Sequence, residues 1–231
     1  MAKIVFDPLV TDTSHRLYGL GALIELIYRA TPAIEIQERD ALEELAERDG
    51  WEYGDFAVED QLLDIKFGHW VPKLAHYSII ILLSSIVETQ LLAFAKKIGK
   101  REKCTFEPGD LRGSALEKVA LYVKRASELE LTQNPHWKTL KDLQDLRDVI
   151  VHRAGRPGTD KAAQFGQMIK NLPLLSLAPN PHGWEPDDEI DVSIHACRYF
   201  AKEVEIFFKE LFKQAGLPAE TGLWPNIESG L

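Results

Sequence analysis

Apolar residues recur every three or four positions along most of this 231-residue chain, the spacing that places them on one side of an α-helix. The pattern is clear between Leu17 and Tyr28 and again across residues 33–48. We expect a break before Pro32, because proline removes a backbone donor and clashes with the preceding turn. The apolar spacing and Pro32 therefore predict two helices in the N-terminal region. Pro72 can either kink a later helix or occupy the first position of the next one.

The most apolar stretch of the chain covers residues 77–95. It carries Glu88, Gln90 and several hydroxyl side chains, which fit a membrane span poorly. We therefore predict a buried central helix and no membrane association. A further helix is predicted from Ser114, which has the capping-box spacing with Glu117.

The C-terminal third shows the same helical spacing with few strand-like runs. A helix is predicted from Pro135 to the glycine-rich segment after residue 153, and a short one over residues 159–171. We predict a loop over 173–186, a short extended piece over 189–192 and a terminal helix over 193–215. The predicted fold class is all-α with one short extended segment.

Charge and cysteine content narrow the function classes. The chain has 27 basic and 36 acidic residues and a net charge of -9, which argues against nucleic-acid binding through its whole surface. Any contact with nucleic acid must therefore be made by a local basic patch. Cys104 and Cys197 lie far apart and suggest neither a disulfide framework nor a zinc site. His69 and His76 share a helix face without a third ligand. We expect a cytoplasmic protein, because the N-terminal residues do not have the pattern of a signal peptide. We expect neither a metal nor a cofactor, because the chain shows no ligand set at metal-binding spacing.

The predicted helix that begins at Pro135 carries unusual polar residues. At about 100° per residue, Arg147 is aimed into the apolar arc, where its guanidinium must find a carboxylate, a phosphate or water. Glu88 is a charged residue on the apolar central helix and also needs a partner, so Glu88 and Arg147 could form an ion pair. Asp148 and His152 share a face, so the carboxylate could orient the imidazole. Arg147 and His152 diverge by about 140°, so a site using both favours a second copy across a two-fold axis.

The segment Arg147-Asp-Val-Ile-Val-His152 resembles the R-x(4–6)-H signature of HEPN domains, in which the residue after the arginine is commonly Asn, Asp or His. The surrounding chain adds to the resemblance. The motif follows a long apolar helix containing Glu88 and precedes residues 188–192 and an amphipathic C-terminal helix. The resemblance covers roughly residues 70–213.

The resemblance implies a helical homodimer, since HEPN proteins usually pair and many are metal-independent endoribonucleases of toxin–antitoxin and antiviral defence systems. It implies that Arg147 and His152 of both protomers form a composite catalytic site, with Asp148 as the orienting residue. Cleavage of RNA without metal needs a base, an acid and positive donors around the phosphorane. RNA is then the expected partner, with an antitoxin or regulatory protein as another. The local basic patch expected to hold RNA phosphates comprises Arg153, Arg156 and Lys161.

A non-catalytic alternative stays open, because some HEPN proteins are interaction modules. In that case Arg147 and Glu88 would form a structural pair, and removing the arginine would strand a buried carboxylate. In either case we predict a single domain over residues 1–231. It would comprise an N-terminal helical extension to about residue 55, a HEPN-like core over about 56–216 and a tail over 217–231.

Overall fold

The computed structural model describes residues 7–178 and 188–218. The elements of the described chain are α1 (Pro8–Asp49), α2 (Tyr53–Ile65), α3 (Val71–Arg101), α4 (Ala115–Ser127), α5 (Trp137–Arg153), α6 (Gly158–Asn171), β1 (Leu175–Ala178), β2 (Glu189–Val192) and α7 (Ile194–Gln214). A π-helical turn, Lys66–Trp70, joins α2 to α3, and 3-10 turns cover Pro108–Asp110 and Leu131–Gln133. The all-α class with a short extended piece is confirmed.

Helix α1 runs unbroken through Pro32, so the predicted break there was wrong. Proline frees the carbonyl four residues earlier, which belongs to Tyr28. Both Tyr28 and Pro32 are exposed, so water can satisfy that carbonyl. The helix is further fixed at its start by the Asp7 side chain, which accepts from the backbone N–H of Leu9 at 3.0 Å.

Helices α2 and α3 form one continuous helical rod from Tyr53 to Arg101, interrupted only by the π turn. Pro72 lies in the first turn of α3, where its missing N–H costs least. An 18-residue stretch of this rod, with a mean hydropathy of 1.9, is apolar enough to cross a membrane, and half of that stretch is buried inside the protein.

Helix α3 is the centre of the core, as predicted for residues 77–95. It packs against α1, α4, α5 and α7. Its fully buried side chains include Ile79, Ile80, Leu83, Leu91 and Phe94. Burying each such side chain contributes about 1.5–3 kcal/mol. The capping box of Ser114 and Glu117 at the start of α4 is confirmed.

The segment 173–186 was predicted as loop, yet its first part forms β1. Residues 179–186 of that prediction lie outside the described residues, as do residues 219–231 of the predicted tail. β1 pairs antiparallel with β2, with Leu175 opposite Val192 and Ala178 opposite Glu189. The β1 residues Leu-Ser-Leu-Ala include no β-branched or aromatic side chain, so local preference does not predict this strand, and pairing with β2 stabilises it.

Residues 25–49 of α1 and all of α2 form a helical hairpin without a fully buried side chain, which we call the arm. Arg39 of α1 holds the two helices together by pairing with Asp60 and Asp64 of α2. Lys66 adds an ion pair to Glu38 at 2.9 Å. By contrast, α1 buries Val10, Leu17, Leu20 and Ile24 in the core, so the beginning of the predicted N-terminal extension is part of the packed body.

Candidate functional site

The candidate site lies at the C-terminal end of α5, and the apolar pattern of that helix decides which residues reach solvent. The buried side chains of α5 are Trp137, Leu140, Leu143, Leu146, Val149 and Ile150. They pack towards α3 and α7, the neighbours of α5. The opposite face is therefore left to polar residues, and His152 is exposed near the end of the helix.

Arg147 lies at the edge of this apolar face, with 29% of its side chain exposed. Its Nη1 donates to Asp148 Oδ1 at 2.9 Å. Within the described chain the proposed pairing with Glu88 is not formed. Glu88 instead lines a groove of about 390 Å³ between α3 and α4, together with Lys118. The guanidinium thus obtains its carboxylate from the next residue in sequence.

His152 and Asp148 do not form the hydrogen bond that their four-residue spacing suggested. The Asp148 carboxylate is engaged by Arg147. His152 forms no hydrogen bond or ion pair with any residue in the ranges 7–178 and 188–218. Within the described residues, the imidazole of His152 is therefore accessible and has no orienting group.

Two of the three expected phosphate-binding cations are engaged within the chain. Arg153 donates to Asp160 through both terminal nitrogens, at 2.6 and 2.9 Å, and to the carbonyl of Pro157 at 2.7 Å. Asp160 raises the pKa of Arg153 further. The Arg156 Nη2 atom lies 3.1 Å from Glu189 Oε1. Lys161 is partly exposed and forms no ion pair among the described residues.

The sequence did not predict a buried charge cluster just beyond the end of α5. Glu189, at the start of β2, contacts both Lys73 of α3 and Arg156. Glu189 is 6% exposed and Lys73 is 8% exposed. Burial and the neighbouring Arg156 charge lower the pKa of Lys73. Glu189 therefore contacts two cations where α3, β2 and the segment after α5 meet.

Two further α3 side chains form hydrogen bonds with backbone carbonyls of β2 beside this cluster. His76 Nδ1 lies 2.6 Å from the Val192 carbonyl, and because that oxygen can only accept, the imidazole donates. Burial lowers the pKa of His76 and favours this neutral form. The Tyr77 hydroxyl donates to the Ile190 carbonyl at 2.5 Å, and burial raises its pKa.

A cleft of about 360 Å³ opens over this region. The α3 side chains at its edge are Pro72, Lys73 and His76, and β2 forms the opposite side. The π turn contributes Gly68 and His69, and such turns are common at functional sites. One sequence signal pointed here: Lys73 begins an apolar helix, where a cation requires a partner.

The described ranges hold no group of three or more His, Cys, Asp or Glu residues placed to hold a metal ion. Cys197 is buried and Cys104 is partly exposed, and both are free thiols. Burial raises the pKa of Cys197, so its thiol stays protonated.

The chain matches no protein-family model, no curated protein and no solved structure.

Proposed function

We propose that this protein is a metal-independent endoribonuclease of HEPN type, with the end of α5 as its site. The observation that carries the proposal is that Arg147 and His152 both reach solvent within the last two turns of one helix. The residues between them, Val149 and Ile150, are buried and anchor that segment of α5. The motif residues are therefore held on a rigid element, which is what a positioned acid–base site requires.

Each of the two groups has a role in cleaving a phosphodiester bond. His152 takes the proton of the 2′-hydroxyl or supplies one to the 5′-oxygen leaving group. Arg147 uses one of its five donors on Asp148, which leaves others for phosphate oxygens. Because one protomer has one such histidine in the motif, a second copy supplies the second proton-transfer group. Lys161 is the remaining cation of the predicted patch available to a phosphate.

The test is cleavage of end-labelled single-stranded RNA by the full chain in EDTA. We expect cyclic phosphate ends and loss of cutting in His152→Ala, with unchanged helix content because the side chain is exposed. Arg147→Lys keeps the positive charge but removes the planar guanidinium that can donate two hydrogen bonds to one phosphate, so we expect a partial loss of RNA cleavage. The matched control is His15→Ala, which removes another exposed histidine on α1. Equal cutting by His152→Ala and wild type would disprove the assignment.

A second candidate function is a non-catalytic helical interaction module. The observation that favours it is the arm, whose helix α2 buries none of its side chains. In that case no variant and no wild-type preparation cuts RNA. Because Arg147 pairs with a partly exposed Asp148, Arg147→Ala would cost less than about 1 kcal/mol of stability, in contrast to the buried pair expected from the sequence. Thermal melting measures that difference.

A further inference from the structure

The outer face of the central helix α3 carries a long row of exposed residues without a charge. We call this row the α3 stripe: Leu74, Ser78, Leu82, Ser85, Thr89 and Leu92. The three leucines are 59%, 45% and 40% exposed. At 1.5 Å per residue the row is about 27 Å long. Partly buried Ala75, Ile81, Ile86 and Ala93 flank it. An apolar surface of this length on a soluble body marks an interaction site.

We propose that the α3 stripe is the docking surface for a second copy of this chain, packed antiparallel across a two-fold axis between residues 83 and 84. In that arrangement residue i of one copy lies opposite residue 167 − i of the other. The axis lies half a residue from position 83, the midpoint between Leu74 and Leu92, so the two stripes overlap along almost their full length.

Side-chain size supports this register. Leu82 lies opposite Ser85, Leu74 opposite Ala93, and Leu92 opposite Ala75. Ser78 lies opposite Thr89. Each leucine of the stripe therefore packs against a small residue, which allows two helices to approach closely and interdigitate. A self-complementary patch of this kind fits an isologous two-fold contact.

Charge supports a second copy independently of size. Residues 25–65, which include the arm, hold 13 of the 36 acidic side chains and only three of the 27 basic ones. The rest of the chain is therefore almost neutral overall, with an exposed basic end on α3. There Lys96, Lys100 and Lys103 are exposed and form no ion pair with a described residue.

The antiparallel register joins these opposite charges. Lys100, near the end of α3 in one copy, lies opposite position 67 of the other, next to the base of the acidic arm, and the turn that carries Lys103 follows it. The two charged regions then meet at both ends of the paired helices, because the two-fold axis repeats each contact. Attraction across this distance acts within about one Debye length at physiological salt. The arm and the stripe thus favour the same partner.

This inference rests on the proposed function only in that both require a second copy of the chain, and its test does not use RNA. Light scattering should give twice 26.1 kDa for the full chain. Leu82→Glu should shift the mass to 26.1 kDa, because symmetry places two carboxylates in the apolar contact. The control is Leu121→Glu on α4, where the side chain is 37% exposed and outside the stripe. It should keep the dimer mass.

Cysteine crosslinking tests the register. In a Cys104→Ser background, a mixture of Leu82→Cys and Ser85→Cys chains should form disulfide-linked pairs faster than either chain alone. Faster linking by Leu82→Cys alone would indicate a different register and overturn the proposal. Lys100→Glu with Lys103→Glu should raise the dissociation constant about tenfold, the effect of several weakened rim ion pairs.

Three other results would also overturn the inference. A wild-type chain of monomer mass at all concentrations would do so, as would a dimer that Leu82→Glu leaves intact. Sedimentation of a monomeric chain with phosphatidylcholine vesicles would assign the stripe to lipid instead. A dimer that fails to cut RNA would count against the proposed endoribonuclease alone, and RNA cutting by a Leu82→Glu chain that stays dimeric would count against this interface alone.

Discussion

The buried carboxylate of Glu189 gives the sharpest prediction about stability. In Glu189→Gln the side chain keeps its size but loses its charge, so the buried ammonium group of Lys73 loses the carboxylate that it contacts. Lys73 is 8% exposed and Glu189 is 6% exposed. Removing one partner of a buried pair costs about 3–5 kcal/mol. Arg156 keeps 27% of its side chain exposed and can gain water, so we expect about 3 kcal/mol at neutral pH.

The direction of the pH dependence follows from Lys73. Burial and Arg156 already lower its pKa, and the substitution removes the anion that favours the charged form. When the folded pKa lies below the unfolded one, the unfolded chain binds more protons between those two values. The destabilisation of Glu189→Gln should therefore become smaller as pH rises from 7 towards about 10, where free lysine titrates.

The assay is urea unfolding followed by circular dichroism at several pH values. The control is Asp160→Asn, which removes an exposed carboxylate from its pair with Arg153 and should change the free energy of unfolding little, because solvent screens that pair. The double variant Lys73→Met with Glu189→Gln should recover part of the lost stability, since the stranded buried cation is gone. A cost for Glu189→Gln no larger than the control, or one independent of pH, would refute the reasoning.

Three more outcomes follow from the described contacts. Gly155→Ala should lower the free energy of unfolding in urea by about 3 kcal/mol, because Gly155 has a φ of 87° and a Cβ there would lie 2.1 Å from the Tyr77 hydroxyl oxygen. The control is Gly166→Ala on α6, where a Cβ meets nothing, and this change should be neutral or stabilising. Equal effects of the two substitutions would contradict this account. The lowered pKa of His76 means that stability should fall as pH drops below about 6.5 towards the folded pKa, and His76→Gln should lose that part of the pH dependence. Arg39→Ala removes the ion pairs between the two helices of the arm, so amide exchange in α2 should accelerate while the core melts as before; unchanged exchange would show that other contacts hold the arm.

The sequence alone predicted the features that depend on near neighbours in the chain. The three-to-four spacing of apolar residues predicted the helices and the burial of α3, and the Ser114 and Glu117 spacing predicted the start of α4. The same spacing predicted the apolar face of α5 and placed Asp148 and His152 on one shared face. These features follow from helix geometry, in which residues three or four apart share a face.

Only the tertiary structure decided which distant residues meet. Nothing in the spacing of the chain relates Lys73 to Glu189, which are 116 positions apart, nor identifies Asp148 rather than Glu88 as the partner of Arg147. Local rules also predicted a break at Pro32, whereas exposure to water lets α1 continue. Contacts between distant residues depend on how whole helices pack, and on the surrounding burial that makes a charge costly unless it is paired.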